Sequence, residues 1–271
     1  MTLVMRLNSL RKRWKFLALR RDCTASGIDS VVLRYRDWRV EVQIDSDLAP
    51  RIARGAYETD HEQALASLVR RGDSCIDVGA NIGLISLELA RLTGLTGTVL
   101  SFEPEPTAFR ILLANLARNA VSPVRSFNLG ASDKVGVSTL QSPAGRAEYA
   151  TLASLVHPSA YAGKRVSIQV MVDSLDCVAL PLLNDCRLLK LDTEGHELHV
   201  LMGSALLISR WRPHISLEIV PKLLESHGST TDGVLDWLSE RSYSLRDLSG
   251  ARLVRSRLGL NGYHQFIAEP C

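Results

Sequence analysis

Asp77 stands near the end of an apolar run, Ser74–Val78, and is followed at once by a turn, Gly79-Ala80-Asn81-Ile82-Gly83. A glycine turn between a strand and a helix lets backbone approach a ligand closely. In an open α/β sheet it lies outside the carboxyl ends of the strands, where ligands bind. A dinucleotide site carries three glycines spaced G-x-G-x-x-G, with amides facing a pyrophosphate. Here the middle glycine is absent, and an acid beside the turn repels phosphate. The expected ligand is cationic or bears hydroxyls. A second acid, Glu103, follows the strand-like run Thr98–Phe102, 26 residues past Asp77. At the tip of a second strand it can accept from both hydroxyls of a ribose. Pro104 and Pro106 fix the exit of that strand and start the next helix. An acid-bearing glycine turn, a ribose-binding Glu and no phosphate cradle describe a site for S-adenosylmethionine, which carries an α-amino acid, a sulfonium and an adenosine but no phosphate.

A third cluster lies in Leu188–Ser204, "LLKLDTEGHELHVLMGS". An apolar strand ends at Asp192, and Glu194, Gly195, His196, Glu197 and His199 follow as the chain enters a helix. His196 and His199, at i and i+3, share a helix face and suggest a metal. The H-E-x-x-H pattern is not met, because the second His comes one residue early. No metal is expected.

The elements that must position these residues follow from hydrophobic period. Strand-like runs at Ser74–Val78, Thr98–Phe102, Val124–Asn128, Leu188–Leu191, Ile215–Ile219 and His264–Ala268 alternate with helical stretches at Leu84–Leu92, Thr107–Asn119, Glu197–Ser209 and Gly233–Arg241. Such alternation predicts a mostly parallel sheet with helices on both faces. Ala131–Val172, with Gly136, Pro143, Gly145, Pro158 and Gly163, interrupts the rhythm and reads as a strand plus an irregular excursion. Ahead of the main domain, Val31–Asp45 alternates apolar and polar residues around Arg36-Asp37 and predicts a β-hairpin. The first 22 residues hold seven Lys or Arg and one Asp, with Leu3, Leu7, Leu10, Trp14 and Leu17 forming one stripe of a helix. That helix is expected to pack on the domain; its basic character also suits an anionic membrane surface, a peripheral contact through residues 1–22. Residues 1–52 are thus expected to form an extension and 53–271 the main domain.

Composition bounds the function. Of 271 residues, 46% are apolar and 23% charged, enough for a packed core. A net charge of +3 is too small to imply a nucleic-acid binder. Five cysteines without a C-x-x-C pair argue against a disulfide framework or zinc site and for a reducing, cytoplasmic compartment. No apolar run approaches the roughly 18 residues of a membrane span.

The chain resembles the FkbM family of S-adenosylmethionine-dependent methyltransferases. The matching residues are Tyr57-Glu58, "IDVGANIG" (Ile76–Gly83), "FEPEP" (Phe102–Pro106), Asn115, "VDSL" (Val172–Leu175), "KLDTEGHELHVLMG" (Lys190–Gly203) and "SLEI" (Ser216–Ile219). The D-x-E-G-x-E element is the specific part. The family usually carries a small residue where this chain has His196, and Pro143–Arg165 and the N-terminal helix lie outside the match. The resemblance implies a seven-stranded class I methyltransferase sheet. It implies that Asp77 and the amides of Gly79, Ala80, Asn81 and Gly83 hold the methionine moiety, and that Glu103 and Pro104 border the ribose. Leu129 and Gly130 would line the adenine, and Glu58 would touch the cofactor.

Methyl transfer is an in-line displacement, so much of its catalysis is positioning. A hydroxyl acceptor gains from a general base. Asp192, Glu194, His196 and Glu218 are the candidates. Histidine has the better unperturbed pKa, while a carboxylate serves if burial raises its own. The resemblance implies O-methylation of a sugar, glycan or secondary metabolite. Two other classes share parts of the pattern. A nucleic-acid methyltransferase would show a basic face with stacking aromatics, and the sequence has no such face beyond the N-terminal helix. A non-catalytic protein with this fold would not need Asp77, Gly79, Gly83 and Glu103 together.

Overall fold

The computed structural model describes residues 3–4, 12–121, 124–143, 165–255, 258 and 262–271. Its centre is a sheet of seven strands: β4 (Ser74–Val78), β5 (Thr98–Phe102), β6 (Val124–Phe127), β10 (Leu188–Leu191), β11 (His214–Ile219), β12 (Tyr243–Arg246) and β13 (His264–Pro270). Their order across the sheet is β12-β13-β11-β10-β4-β5-β6. All pair in parallel except β13, which runs antiparallel to both β11 and β12. This is the seven-stranded, mostly parallel sheet that the family resemblance implies. The chain builds outward from β4 through β5 and β6, then returns to β4's other side with β10. The switch point is therefore the gap between the carboxyl ends of β4 and β10, where open α/β sheets bind ligands.

β4 is buried along its whole length, as a strand covered on both faces must be. The helices between strands are α4 (Leu84–Thr93), α5 (Pro106–Arg118), α6 (Leu175–Val178), α7 (Glu197–Met202), α8 (Ala205–Trp211), α9 (Pro221–Ser226) and α10 (Thr231–Glu240), with α3 (Thr59–Leu68) before β4. α5 begins as its sequence dictates: Pro106 sits in the first turn, and the Glu105 carboxylate caps by accepting from the Ala108 amide at 2.6 Å. The single helix expected over Glu197–Ser209 is two. A side chain at Gly203 would strike the Ser132 carbonyl at 1.9 Å, so the chain bends there against a neighbouring loop. α8 restarts under a cap supplied from afar, the Asp176 carboxylate accepting from the Leu206 and Leu207 amides at 2.9 and 2.8 Å.

The hairpin is present as β2 (Ser30–Tyr35) and β3 (Trp38–Gln43), with β1 (Leu3–Val4) pairing β2 in parallel. The N-terminal helix α1 spans Lys12–Ala25, and α2 spans Leu48–Arg54. α1 buries Phe16, Leu19 and Cys23, whereas Leu17, placed on the apolar stripe by its spacing, is 45% exposed. The core decides which stripe faces inward: these three pack in one cluster with Val31, Leu33 and Val42 of the hairpin and with Ile111 and Leu112 of α5. Leu7 and Leu10 lie outside the described residues. Ala131–Val172 holds more order than expected. β8 (Gly136–Pro143) and β9 (Arg165–Asp173) form a long antiparallel pair, and β7 (Gly130–Ala131) adds to β9. Residues 144–164, half of that segment, lie outside the described residues. No described helix is long and apolar enough to cross a membrane.

Candidate active site

A cavity opens at the switch point. Gly79 and Asn81 of the turn, Glu103 and Pro104 after β5, Leu129 and Gly130 after β6, and Asp192 and Glu194 after β10 all line it. Phe102, Ala131 and Leu140 complete an apolar wall. Eight residues singled out from sequence therefore meet in one place, although they come from four separate strand ends.

Gly79 makes this meeting possible. Its φ is +73°, and an added Cβ would lie 1.8 Å from the Asp192 carbonyl oxygen. Only glycine allows the two strand ends to approach this closely. The turn is internally satisfied. The Gly79 and Ala80 amides both donate to the Phe102 carbonyl at 3.0 Å, and Gly83 donates to Ala80 at 2.8 Å. The Asn81 amide donates to Glu103 Oε2 at 2.8 Å. These four amides are thus spent inside the fold and build no anion cradle, which fits a ligand without phosphate.

Glu103 is held by two backbone amides. Each carboxylate oxygen takes one backbone amide, Oε2 from Asn81 and Oε1 from Glu105, the latter at 2.8 Å. A carboxylate oxygen has two lone-pair positions, so each keeps one for a hydroxyl. Burial pushes its pKa up to about 7, against the pull of the two amides. Asn128 fixes the loop behind it, donating to the Glu103 and Pro104 carbonyls at 2.9 and 3.0 Å.

Asp77 does not line the cavity. It is fully buried beneath the turn, where Oδ2 accepts from Ser86 Oγ at 2.6 Å and Oδ1 lies 3.2 Å from Lys190 Nζ. Ala80 and Gly83 are likewise absent from the wall. The motif's acid thus lies under the turn, held by Ser86 and Lys190.

Lys190 is the residue that sequence reading passed over. It is 3% exposed, and its ammonium donates to the Gly79 carbonyl at 2.9 Å while lying 3.5 Å from Asp192 Oδ2. Burial alone would lower its pKa, but Asp77, Asp192 and Glu58 outweigh burial and hold it above the lysine range. The available signal was a lone Lys inside an apolar strand, since lysine is almost never fully buried unless paired.

The turn after β10 is clamped by Glu197. Its Oε1 accepts from the Thr193 amide at 2.9 Å, the Thr193 hydroxyl at 3.0 Å and the Gly195 amide at 3.2 Å. The third acid of D-x-E-G-x-E therefore shapes the turn that presents the first two. Burial raises the pKa of Asp192, and burial with Asp192 and Glu197 raises Glu194 to about 8. Glu218 on β11 is also pushed up, by burial and by Asp192 and Glu194. It does not line the cavity but accepts from Tyr263 Oη at 3.0 Å.

His196 is not brought to this site. It is 8% exposed, with Nε2 3.0 Å from Ser132 Oγ and Nδ1 3.1 Å from His227 Nδ1. Its ring stacks on His199 at 4.4 Å. Burial and the neighbouring His199, His227 and Lys134 lower its pKa to about 3. With both ring nitrogens engaged away from the cavity, it is a packing element joining α7 to the Ser132 loop. Glu58 also lies off the cavity wall, in an adjoining groove. Among the described residues, no group of three or more His, Cys, Asp or Glu is placed to hold a metal ion.

Residues 77–245 match the model of the methyltransferase FkbM domain. Methyltransferase sdnD of Sordaria araneosa is 28% identical over 204 residues, covering 63% of this chain and 78% of that protein. The 31-O-demethyl-FK506 methyltransferase FkbM of Streptomyces tacrolimicus is 40% identical over 98 residues, covering 36% of this chain and 35% of that protein. Among solved structures, a methyltransferase FkbM from Methylobacillus flagellatus aligns with a TM-score of 0.45 and 18% identity, covering 81% of this chain and 52% of that one.

Proposed function

Because the chain belongs to the FkbM methyltransferase family, we propose that it transfers a methyl group to a hydroxyl of a sugar, glycan or secondary metabolite. It is a methyltransferase, and S-adenosylmethionine is its cofactor. That cofactor supplies an electrophilic methyl on a sulfonium; the chain supplies placement and somewhere for a proton to go. Glu103, with one open lone pair on each oxygen, is the group to hold the ribose hydroxyls. Leu129, Gly130 and the Phe102 ring offer an apolar slot for the adenine. Acids on the opposite wall suit a cation.

One observation carries the preference for oxygen. Asp192 and Glu194 share the cavity wall; burial raises the pKa of both, helped by Glu58 and Asp77 at Asp192 and by Asp192 and Glu197 at Glu194. A cavity walled by several carboxylates is a setting in which a proton has somewhere to go, and a proton is what an alcohol must lose and a thioether or enolate need not. The Streptomyces relative, named for a 31-O-demethyl acceptor, points the same way.

The test has two stages. Calorimetric titration with S-adenosylhomocysteine should show binding to wild type and a loss of roughly 10-fold or more in Glu103→Ala, which removes a charged acceptor. Radiolabelled S-adenosylmethionine is then offered with methyl glycosides, secondary alcohols and an RNA oligonucleotide. Label on the alcohols supports the reading, and label on RNA alone overturns it.

A further inference from the structure

Beside the cofactor cavity, between the α2–α3 connection and β13, lies a groove lined by Arg51, Glu58, Asp60, Tyr263 and Gln265. Its chemistry continues into the cavity. Tyr263 donates to Glu218 at 3.0 Å, the charges of Asp192, Glu194 and Glu58 raise the pKa of Glu218, and the charge of Glu58 also raises that of Asp192. The groove's polar edge is mixed rather than of one sign, and the Tyr263 ring is 54% exposed. An open aromatic face beside an acid, an amide and a guanidinium suits an uncharged, hydroxylated ring.

Glu58 is built unusually. It occupies the N-cap position of α3 with φ +38°, left-handed for a residue that gains nothing from it sterically. It does not cap its helix. Its carboxylate instead meets His61 Nδ1 at 3.0 Å, and His61 Nε2 meets Ser216 Oγ of β11 at 2.8 Å. His61 is 2% exposed, so the imidazole is fixed at both ends. Backbone strain held in place by a buried side-chain chain is a mark of functional sites. Burial pushes the Glu58 carboxyl up, but His61 and Lys190 outweigh it and hold it below its ordinary range, opposite to Asp192, Glu194 and Glu218.

We propose that this groove admits the acceptor hydroxyl and that Glu58, oriented by His61 and Ser216, takes its proton. The proposal rests on the hydroxyl-acceptor reading above. In the step, the O–H bond breaks toward a Glu58 carboxylate oxygen, the bonding pair stays on the acceptor oxygen, and Glu58 becomes a neutral acid. Proton loss and methyl capture run together: as the oxygen pair bonds to the methyl carbon, the carbon–sulfur bond breaks, its pair stays on sulfur, and the donor's remainder leaves as a neutral thioether. Glu58 is thereby a catalytic residue and His61 a positioning residue.

The test has readouts apart from turnover. In protein labelled with ¹³C at glutamate carboxyls, the signal missing in Glu58→Gln is that of Glu58. Its midpoint should fall below 4.5 in wild type and rise by about one unit or more in His61→Gln, which removes its partner. Ser216→Ala, which keeps the imidazole, should shift it in the same direction if His61→Gln does not fold. A Glu58 midpoint above 4.5, or one that neither variant moves, overturns the proposal. S-adenosylhomocysteine affinity of Glu58→Gln should stay within about 3-fold of wild type; a 10-fold loss would make Glu58 a cofactor contact. With the alcohol panel, Glu58→Gln should lose roughly 10²- to 10⁴-fold in turnover, with partial recovery in Glu58→Asp. Equal turnover by wild type and Glu58→Gln sinks Glu58 alone. S-adenosylhomocysteine binding without label on any alcohol sinks the hydroxyl-acceptor reading instead.

Discussion

Lys190 stands opposite Asp77 in the β10–β4 register, with its ammonium 3.2 Å from one acid and 3.5 Å from Asp192. A single buried cation thus ties the acid under the cofactor turn to the acid on the cavity wall, and also accepts the task of holding the Gly79 carbonyl. Three features that a sequence reader treats separately are one electrostatic unit.

Removing that cation leaves Asp77 buried without a counter-charge. Lys190→Met should destabilise the protein by about 3–5 kcal/mol, the usual cost of breaking a buried pair from one side. The double variant Lys190→Met/Asp77→Asn should recover part of the loss, because no lone charge is left beneath the turn. Urea unfolding of the wild type, the single variant and the double variant measures both quantities. A loss below about 1 kcal/mol in the single variant would show that the pair is not the support described here.

Cofactor affinity should depend on pH through Glu103. Its pKa is raised to about 7 by burial. Below that value the group is protonated and one acceptor position is lost to its own proton. S-adenosylhomocysteine should therefore bind more tightly as pH rises from 6 to 8. Glu103→Gln should bind weakly and with a flatter profile over the same range. An identical slope in the variant would assign the pH dependence to another group.

Asn115 links the hairpin to the cofactor turn. Fully buried, it accepts from the Glu41 amide at 2.6 Å and donates to the Glu41 and Ile82 carbonyls at 3.1 and 2.8 Å. Asn115→Ala strands three backbone groups at a cost of about 1–3 kcal/mol each before relaxation. A stability loss of several kcal/mol in urea is expected, together with weaker S-adenosylhomocysteine binding in whatever fraction stays folded. Full affinity with low stability would confine Asn115 to the hairpin.

Two packed histidines, one buried and one half-buried, give the protein an acid limit. His196 and His227 have pKa values lowered to about 3 and about 4, chiefly by burial. A folded-state pKa below the ordinary 6.5 means stability that is present above 6.5 and lost as pH falls toward 4 and then 3. Glu194 and Glu103, raised to about 8 and about 7, work in the opposite sense, their contribution fading as pH rises through those values. Comparing the melting temperature of wild type with that of His196→Asn/His227→Asn at pH 7.5 and pH 5 removes the acids from the difference. The wild type should lose more on acidification; equal losses would place the acid limit elsewhere.

The sequence by itself determined the sheet strands that bear the motifs, because buried parallel strands are continuous apolar runs and glycine turns punctuate them. It also determined Glu103, whose place at a strand tip follows from spacing alone. β12, four residues of mixed polarity, exists only because β13 pairs with it, and the break between α7 and α8 exists because a distant loop presses on Gly203. Local pattern carries neither. The deeper division lies among the polar residues. Asp77, Glu197 and His196 sit in motifs as prominent as those of Glu103 and Asp192, yet tertiary packing turns the first three inward to Lys190, to the Thr193–Gly195 amides and to His227. A motif fixes which residue types lie near a strand end, but the partner that satisfies a buried charge comes from another strand, and only the fold decides whether an acid faces its own scaffold or the ligand.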